Sequence, residues 1–463
     1  MPHPLLAPDD AGAVPIRLVT EKGLEAGMAG LSDTGRAFAA AQGFEAKAGA
    51  HCPLPGPGGA LEAVLFGIDE PGANGADRFL VGKLPTVLPA GTYRFAASPA
   101  EPELATLAWL LGAYRFERYR QRPAKPCRLV PPAGVDAEEA SRIAAATALG
   151  RDLVNTPAND LGPQEIEDAV RALAAKHGAA VEAVVGDDLL ARNLPMIHAV
   201  GRASPRAPRL VDLSWGDAAA PRVSIIGKGV AFDTGGLNLK PDASMALMKK
   251  DMGGAAAAIA LADMVMGAGL NVRLRLLVAA VENAVSGSAF RPGDVLQSRK
   301  GLSVEIGNTD AEGRLILADA LALADEDAPE IVVDFATLTG AARVALGPEL
   351  PPFYSDDEAL AGDLARLATA VNDPAWRMPL WRPYAKLLES KIADLNHISG
   401  GPFAGSVTAA LFLTRFVERA KAYVHFDIYA WNPAPRPGRP EGGEVQGARL
   451  VYALFKERYG AGP

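Results

Sequence analysis

The sequence predicts an α/β protein whose main sheet is covered by helices on both faces. Two observations support this prediction. From residue 155 onward, short apolar segments alternate with longer segments of helical periodicity, and these apolar segments lack the polar alternation of a half-exposed strand. The chain also has 463 residues, which is too many for one ordinary hydrophobic core, so we expect two domains.

Composition excludes several classes of protein. A hydrophobic content of 49% with 22% charged residues is typical of a globular protein. The formal net charge of -8 disfavours nucleic acid and anionic membranes as partners. The two cysteines cannot form a disulfide framework and fit a reducing compartment. The N-terminus lacks the pattern of a signal peptide, and no apolar run is long enough to cross a bilayer, so we expect a cytoplasmic protein.

Residues 1–125 predict a small α/β domain. Strands are expected at 61–68 and 78–81 and a helix at 103–119, with turns rich in proline and glycine between them. No group of polar residues in this part suggests chemistry, so we expect a structural or assembly role. Residues 126–154 predict a linker followed by a connecting helix with an acidic first turn.

Residues 155–463 predict a second domain, in which strands and helices alternate. Helices are predicted at 163–177, 254–266, 315–325 and 406–420. Strands are predicted at 210–215, 223–226, 272–281, 331–335 and 423–431. In a covered sheet, ligands bind beyond the carboxyl ends of the strands. Charged residues that follow these strands are therefore the candidates for chemistry.

The most informative segment is NTDAEGRL at 308–315. Asp310, Glu312 and Arg314 occupy alternating positions in it. If the segment is extended, these three side chains point to the same side. Two carboxylates that face one point repel each other unless a cation lies between them. The segment therefore predicts a metal site with oxygen ligands.

A second group of charged residues precedes this segment and consists of Lys228, Asp233, Lys240 and Asp251. Taken singly, Asp251 is typical of a helix cap, Asp233 of a turn, and the lysines of a solvated surface. Lys228, however, directly follows an apolar strand inside a glycine-rich segment, which is unusual for a surface lysine. Four carboxylates and two lysines together favour a paired metal site for Mg, Mn or Zn.

Other chemistries have less support in the sequence. Six histidines are present, but no pair has the spacing of zinc ligands. The chain contains no P-loop, no complete dinucleotide fingerprint and no Gly-x-Ser-x-Gly motif. Cys52 lies in a proline- and glycine-rich loop and Cys127 in the linker, so both are interpreted as structural thiols.

Several motifs occur in a fixed order along residues 137–463: GKGVAFDTGGLNLKP at 227–241, KKDMGGAAA at 249–257, AVEN at 280–283, RPGDVL at 291–296, NTDAEGRL at 308–315 and ATLTGA at 336–341. Together they resemble the leucyl (cytosol) aminopeptidase family. The resemblance implies an N-terminal domain of macro-like fold and a larger catalytic domain with a central mixed β-sheet flanked by helices. It also implies a homohexamer that removes the first residue from peptides with a free N-terminus, using two divalent metal ions, Mn²⁺ or Zn²⁺.

The resemblance also implies a role for individual residues. Metal ligands would be Lys228, Asp233, Asp251, Asp310 and Glu312, with Asp233 and Glu312 shared between the two ions and a bridging water as nucleophile. Lys240 would polarise the scissile carbonyl and stabilise the oxyanion, and Arg314 would hold a bicarbonate ion that shuttles protons. The substrate pocket would be lined by Met248, Asn308, Thr337 and Gly340.

One segment departs from the family pattern. Residues 431–444 match it only at Gly438-Arg439-Pro440, so the preference for leucine is open. The segment predicts either a stiff rim of the substrate pocket or a simple surface loop. Two alternative functions remain at this point: a non-catalytic hexameric scaffold, or another metal-assisted hydrolase such as a phosphoesterase.

Overall fold

The computed structural model describes residues 2–70, 72–121, 123 and 126–460. The chain divides into two compact units, one of residues 1–148 with 434–441 and one of residues 149–433 with 442–463. The predicted end of the first domain, at residue 125, lies outside the described residues, and so does part of the predicted linker.

The first unit contains a five-stranded mixed sheet in the order β2-β3-β1-β4-β5. Its elements are β1 (Val14–Val19), α1 (Leu24–Gly27), α2 (Asp33–Ala41), β2 (His51–Pro55), β3 (Leu61–Gly67), α3 (Leu84–Val87), β4 (Gly91–Phe95), α4 (Pro102–Gly112) and β5 (Cys127–Leu129). The strand predicted at 61–68 is confirmed as β3. The strand predicted at 78–81 is wrong, because Leu80–Lys83 forms a 3₁₀ turn that Asp77 begins by accepting a hydrogen bond from the Phe79 amide.

Helix α5 (Ala137–Asn155) begins in the first unit and ends in the second. The second unit contains the helices α6 (Pro163–His177), α7 (Asp188–Ala191), α8 (Pro195–Gly201), α9 (Asp242–Met245), α10 (Gly253–Gly267), α11 (Gly313–Asp325), α12 (Gly340–Leu346), α13 (Glu358–Ala370), α14 (Gly405–Leu413) and α15 (Ala448–Tyr459). Its strands are β6 (Ala180–Val185), β7 (Arg209–Trp215), β8 (Arg222–Asp233), β9 (Arg273–Asn283), β10 (Val295–Gln297), β11 (Ser303–Glu305), β12 (Ile331–Ala336), β13 (Pro352–Tyr354), β14 (Trp376–Arg377), β15 (Leu395–Asn396), β16 (Tyr423–Asp427), β17 (Trp431–Asn432) and β18 (Gly442–Gly443).

The main sheet of the second unit is mixed and has the order β14-β13-β16-β12-β8-β9-β7-β6. Its centre is parallel, since β8 pairs in parallel with both β9 and β12, and β12 with β16. Antiparallel strands lie outside this centre, where β7 joins β9 and β13 joins β16. The carboxyl ends of the four central strands therefore meet at one edge of the sheet, where a ligand site is expected.

Helix α10 lies against the centre of the sheet and is buried along nearly its whole length. Its sequence is apolar on every side, which is typical of a helix that solvent does not reach. The helix approaches the sheet so closely that a Cβ atom on Gly254 would lie 2.1 Å from the Phe335 carbonyl oxygen. Gly227 of β8 faces Ala255 in the same way, where a Cβ atom would lie 2.6 Å from the Ala255 Cα atom.

Strand β8 is longer than the predicted strand at 223–226. The glycine-rich loop expected to follow is instead part of the strand, which pairs with β9 as far as Val230 and again at Asp233. The reason is that Gly227 allows α10 to pack close to the sheet. Glycine at this position therefore indicates close packing and not a turn. As a result, Lys228 and Asp233 both project from one rigid strand.

The last predicted elements end earlier than expected. The helix predicted at 406–420 ends at Leu413 and continues as a 3₁₀ turn to Phe416. The strand predicted at 423–431 ends at Asp427, and Ala430 adopts a positive φ of 56°, which a strand does not allow. The divergent segment 431–444 begins and ends with the paired strands β17 and β18, while residues 434–441 belong to the first unit.

None of the helices in the described part of the chain combines the length and apolarity that crossing a bilayer requires.

Gly254→Ala should destabilise the protein, because the added methyl group meets the Phe335 carbonyl and the buried helix cannot move away. Overpacking of this kind costs about 1–3 kcal/mol. The matched control is Gly362→Ala in α13, where a Cβ atom meets nothing within 4 Å. That change should stabilise by roughly 0.5–1 kcal/mol through helix propensity. Chemical denaturation compares the two variants, and equal effects would contradict the packing described for α10.

Candidate active site

The central strands end in polar residues at one edge of the main sheet. Strand β8 ends at Asp233 and β9 at Asn283, which are directly paired. The Asn283 side-chain amide donates hydrogen bonds to Asp233 Oδ1 at 2.8 Å and to the Thr309 carbonyl at 3.0 Å. Strand β16 ends at Asp427, whose carboxylate accepts the Leu338 and Thr339 amides that follow β12. This edge is thus held together by hydrogen bonds between strand ends.

Three carboxylates converge at this edge. One oxygen from each of Asp233, Asp310 and Glu312 lies within 4.8 Å of the others, and we call these three residues the carboxylate cluster. Asp233 and Glu312 are buried, and Asp310 is half-buried. Burial and the neighbouring carboxylates raise the pKa of both Asp233 and Glu312 above the ordinary carboxyl range. The cluster is therefore a place of concentrated negative charge with little access to water.

Two lysines contact the carboxylate cluster. Lys228 Nζ lies 3.1 Å from Glu312 Oε1 and donates hydrogen bonds to Asp251 Oδ2 at 2.7 Å and the Thr337 carbonyl at 2.8 Å. Lys240 Nζ lies 2.8 Å from Asp233 Oδ2 and 2.5 Å from Asp310 Oδ1. Every sequence-predicted metal ligand and the predicted catalytic lysine thus lie in one connected site.

The ammonium form of both lysines is favoured in this arrangement. Burial by itself lowers the pKa of Lys228 and Lys240, but the surrounding carboxylates outweigh it and raise both pKa values above the ordinary lysine range. Lys228 in turn lowers the pKa of Asp251, against the opposing effect of burial. The four carboxylates and two ammonium groups still leave an excess of negative charge.

Asp251 does not cap helix α10, contrary to the simplest interpretation of its position. It lies in a 3₁₀ turn, Met248–Met252, that precedes the helix. Its Oδ1 atom accepts a hydrogen bond of 2.8 Å from Thr337 Oγ1, and its Oδ2 atom accepts one from Lys228. Of the predicted pocket residues, Met248 begins this 3₁₀ turn, Thr337 bonds directly to Asp251, and Gly340 begins α12.

The segment 308–315 is not extended, so the backbone conformation expected for it was wrong. The side chains of Asp310 and Glu312 nevertheless converge on one site. Thr309–Ala311 forms a 3₁₀ turn and α11 follows from Gly313. Asn308 stabilises the turn, because its Oδ1 atom accepts the Asp310 amide at 2.8 Å. The fully buried Thr309 donates to the Gly235 carbonyl at 2.6 Å and accepts the Asn238 amide at 2.8 Å. These bonds place Asp310 and Glu312 opposite Asp233.

Arg314 is buried beside the carboxylate cluster at the start of α11. Its Nη1 atom donates a hydrogen bond of 2.7 Å to the His397 carbonyl. Among the described residues, its Nε atom has no hydrogen-bond partner. Burial lowers the pKa of Arg314 to about 10, partly offset by Asp427 and Glu312, so the guanidinium remains charged. A buried cation with an unused donor suits a small anion.

His397 is a residue that the sequence interpretation missed. With the proton on Nε2, its ring donates to the Asn308 carbonyl at 2.9 Å and accepts the Gly307 amide on Nδ1 at 3.2 Å. The same residue binds Arg314 through its carbonyl. Its role could not be found from ligand spacing, because its partners lie far away in sequence and are backbone atoms.

The donor set fits divalent metal ions. Within the described part of the chain, Asp310 Oδ1 and Glu312 Oε1 are buried and accept no hydrogen bond, although each lies at ion-pair distance from a lysine. Buried polar atoms without hydrogen bonds are rare and call for an ion or another partner. Carboxylate oxygens are the ligands that hard divalent cations prefer.

Comparison with known proteins agrees with this fold. A family model described as "Cytosol aminopeptidase family, catalytic domain" matches residues 148–452, and one described as "M17 aminopeptidase, N-terminal domain" matches residues 14–132. A probable cytosol aminopeptidase of Roseiflexus castenholzii is 38% identical over 368 residues, which cover 75% of each chain.

Solved structures give the same result. The crystal structure of cytosol aminopeptidase from Coxiella burnetii is 43% identical with a TM-score of 0.92, covering 96% of this chain and 97% of that one. The bottromycin maturation enzyme BotP in complex with Mn is 32% identical with a TM-score of 0.85, covering 96% and 99%. The family models and the solved structures thus define a peptidase with an N-terminal domain and a catalytic domain. The chain belongs to the cytosol aminopeptidase family, which confirms the resemblance and the fold class expected from the sequence.

His397→Gln should change how stability depends on pH. Burial, with the nearby Arg314, lowers the pKa of His397 to about 3 from its usual 6.5. Because the folded-state pKa lies below that of the unfolded chain, the contribution of this neutral ring is complete above pH 6.5 and is lost as the pH falls towards 3. Over that window the wild-type protein should lose up to about 1.4 kcal/mol per pH unit relative to the variant. Chemical denaturation from pH 7.5 to 4.5 measures both curves, and parallel curves would contradict a buried neutral imidazole.

Proposed function

We propose that this chain removes the N-terminal residue from peptides with a free N-terminus, and that it does so with two divalent metal ions, Mn²⁺ or Zn²⁺. The observation that carries the proposal is the carboxylate cluster, in which one oxygen from each of three carboxylates lies within 4.8 Å of the others and two lysines balance only part of the charge. Membership of an aminopeptidase family and the Mn complex of BotP support the choice of reaction and ion.

The family resemblance suggests how the ligands divide between the two ions. Asp233 and Glu312 would be shared, Asp310 would complete one ion's shell, and Asp251 with Lys228 would complete the other's. Lys228 would ligate as the free amine, so dications would have to displace its proton, which the carboxylates now hold firmly. When bound, two such ions would lower the pKa of a water molecule and polarise the scissile carbonyl.

Lys240 is the group of this chain that meets the developing negative charge. Its ammonium is half-buried beside Asp233 and Asp310, where limited access of water strengthens its interaction with an oxyanion. The surrounding carboxylates keep it protonated, so it donates a hydrogen bond to the scissile carbonyl rather than acting as a base. Met248, Asn308, Thr337 and Gly340 would line the pocket for the substrate's first side chain.

Arg314 would hold a bicarbonate ion beside the site. Its unpartnered Nε donor and its buried positive charge favour a small planar anion that accepts hydrogen bonds. Such an anion would supply a base in place of His397, which contacts the same segment but uses both ring nitrogens on backbone atoms. The Arg314 side chain is positioned for this role by the His397 carbonyl.

We further propose that the enzyme acts in the cytoplasm as a homohexamer. Support for the compartment comes from the names of the relatives, which are cytosol aminopeptidases. Support for the assembly comes from the family resemblance alone.

Asp310→Ala and Glu312→Ala should each abolish hydrolysis of an amino-acid anilide, because each removes a carboxylate that holds the ions. The matched control is Asp217→Ala, an exposed carboxylate in a turn, which should leave activity at the wild-type level. Steady-state kinetics with added Mn²⁺ or Zn²⁺ measures the three variants. Retained activity in either cluster variant would refute the proposal. A wild-type protein that binds metal but hydrolyses no peptide would indicate a non-catalytic scaffold.

Lys240→Met should lower kcat roughly 10²- to 10³-fold with a smaller change in KM, since its contact strengthens only as charge develops on the carbonyl oxygen. The matched control is Lys421→Met, a surface lysine paired with Glu330. A comparable loss in both variants, or a change confined to KM, would show that Lys240 does not stabilise the transition state.

A further inference from the structure

The short segment 337–339 connects β12 to α12 and contacts two of the proposed metal ligands. It has no regular secondary structure of its own. Its first residue, Thr337, is buried, and its carbonyl oxygen accepts a hydrogen bond of 2.8 Å from Lys228 Nζ. The Thr337 hydroxyl donates a hydrogen bond of 2.8 Å to Asp251 Oδ1. The positions of Lys228 and Asp251 therefore depend on where this segment lies.

Asp427 binds the other two residues of the segment. It is the last residue of β16 and pairs directly with Ala336, the last residue of β12, so its side chain lies where the segment begins. Its Oδ1 atom accepts the amides of Leu338 and Thr339 at 3.1 Å each, and its Oδ2 atom accepts the Thr339 hydroxyl at 2.6 Å. Three hydrogen bonds to two consecutive residues restrict the backbone that follows β12.

Asp427 is itself held by a second set of contacts. It is only 2% exposed, and its Oδ2 atom accepts a further hydrogen bond of 2.8 Å from Ser406 Oγ of α14. Ser406 in turn accepts one of 2.7 Å from the hydroxyl of Tyr354, which lies on the neighbouring strand β13. A buried polar network whose members are all hydrogen-bonded makes its surroundings rigid. The segment 337–339 is thus fastened to the main sheet and to α14.

The donors around Asp427 explain why a carboxylate occupies this position. Each of its two oxygens accepts two hydrogen bonds, whereas asparagine has only one acceptor oxygen. The Leu338 and Thr339 amides can only donate, so alanine at position 427 would leave both without this partner. Asparagine could keep the two amides on its oxygen. Its NH₂ group would then face the Thr339 hydroxyl, whose oxygen already accepts the Ala342 amide at 3.1 Å, so the hydrogen bond that this hydroxyl now donates to position 427 would be lost.

We propose that Asp427 is a positioning residue for one of the two metal ions, because it fixes the segment through which Thr337 holds Lys228 and Asp251. This inference rests on the two-ion function proposed above and adds a residue that is no ligand itself. Partners that orient metal ligands in this way typically change metal affinity by roughly 10- to 100-fold.

The effect of Asp427 should be confined to the ion whose shell Lys228 and Asp251 would complete. Asp310, which would complete the shell of the other ion, lies on the 3₁₀ turn Thr309–Ala311. That turn is fixed by different contacts, since the Thr309 hydroxyl donates to the Gly235 carbonyl at 2.6 Å. Removal of the Asp427 carboxylate should therefore weaken one ion and leave the other in place.

The test is a titration of the chelator-treated full-length chain with Mn²⁺ in a calorimeter, with folding checked by circular dichroism. Asp427→Ala should bind one ion with wild-type affinity and the other roughly 10- to 100-fold more weakly. Asp427→Asn should weaken the same ion to a smaller extent. The matched control is Ser406→Ala, which removes a hydrogen bond to the same Asp427 oxygen but none to the segment 337–339. Both ions should keep their wild-type affinity in this control.

Three results would overturn the inference while the two-ion proposal stands. One is wild-type affinity for both ions in Asp427→Asn, a conservative variant that decides the question even if Asp427→Ala does not fold. Another is an equal loss of affinity for both ions, and the third is a loss in Ser406→Ala as large as that in Asp427→Ala. A wild-type chain that binds no Mn²⁺ tightly would overturn the proposed function and this inference together.

Discussion

The active-site region depends on an excess of negative charge in a place that water hardly reaches. Asp233, Asp251, Asp310 and Glu312 meet at one edge of the main sheet, and the ammonium groups of Lys228 and Lys240 lie within ion-pair distance of them. Like charges at such distances in a low dielectric repel strongly, so the surrounding structure has to hold them there. Strand β8 holds two of the site residues, Lys228 and Asp233, in fixed positions, and α10 packs directly against this strand.

The close packing of α10 against the sheet also determines where the charged side chains of the site lie. Gly227 and Gly254 let α10 approach the sheet, and the 3₁₀ turn before this helix then holds Asp251 within reach of Lys228. On the opposite side, Thr309 and Asn308 stabilise the turn that presents Asp310 and Glu312. The positions of the carboxylates are thus set by backbone contacts, which makes the site rigid before any ligand binds.

The sequence predicted features that depend on neighbouring residues. It did not predict local structure that depends on backbone contacts between segments distant in the chain. The strand–helix alternation identified the covered sheet, and the motif residues fall in one site because strand ends meet at one edge. The extended form expected for 308–315 was wrong, because Thr309 bonds to the backbone of Gly235 and Asn238, which are remote in sequence. The glycines of β8 signal packing that only the position of α10 reveals. His397 was missed because its ring bonds to backbone atoms of a segment remote in sequence.

The central claim is that the surplus negative charge of the carboxylate cluster is balanced by two divalent ions. The most direct measurement is the number of Mn²⁺ ions bound per chain, by isothermal titration calorimetry on chelator-treated protein with metal analysis after dialysis. We expect two ions in the wild-type protein, and fewer than two when Asp233 and Glu312, the ligands proposed to be shared, are replaced by Asn and Gln. No tight binding in the wild-type protein, or two ions retained by the Asp233→Asn, Glu312→Gln variant, would contradict it.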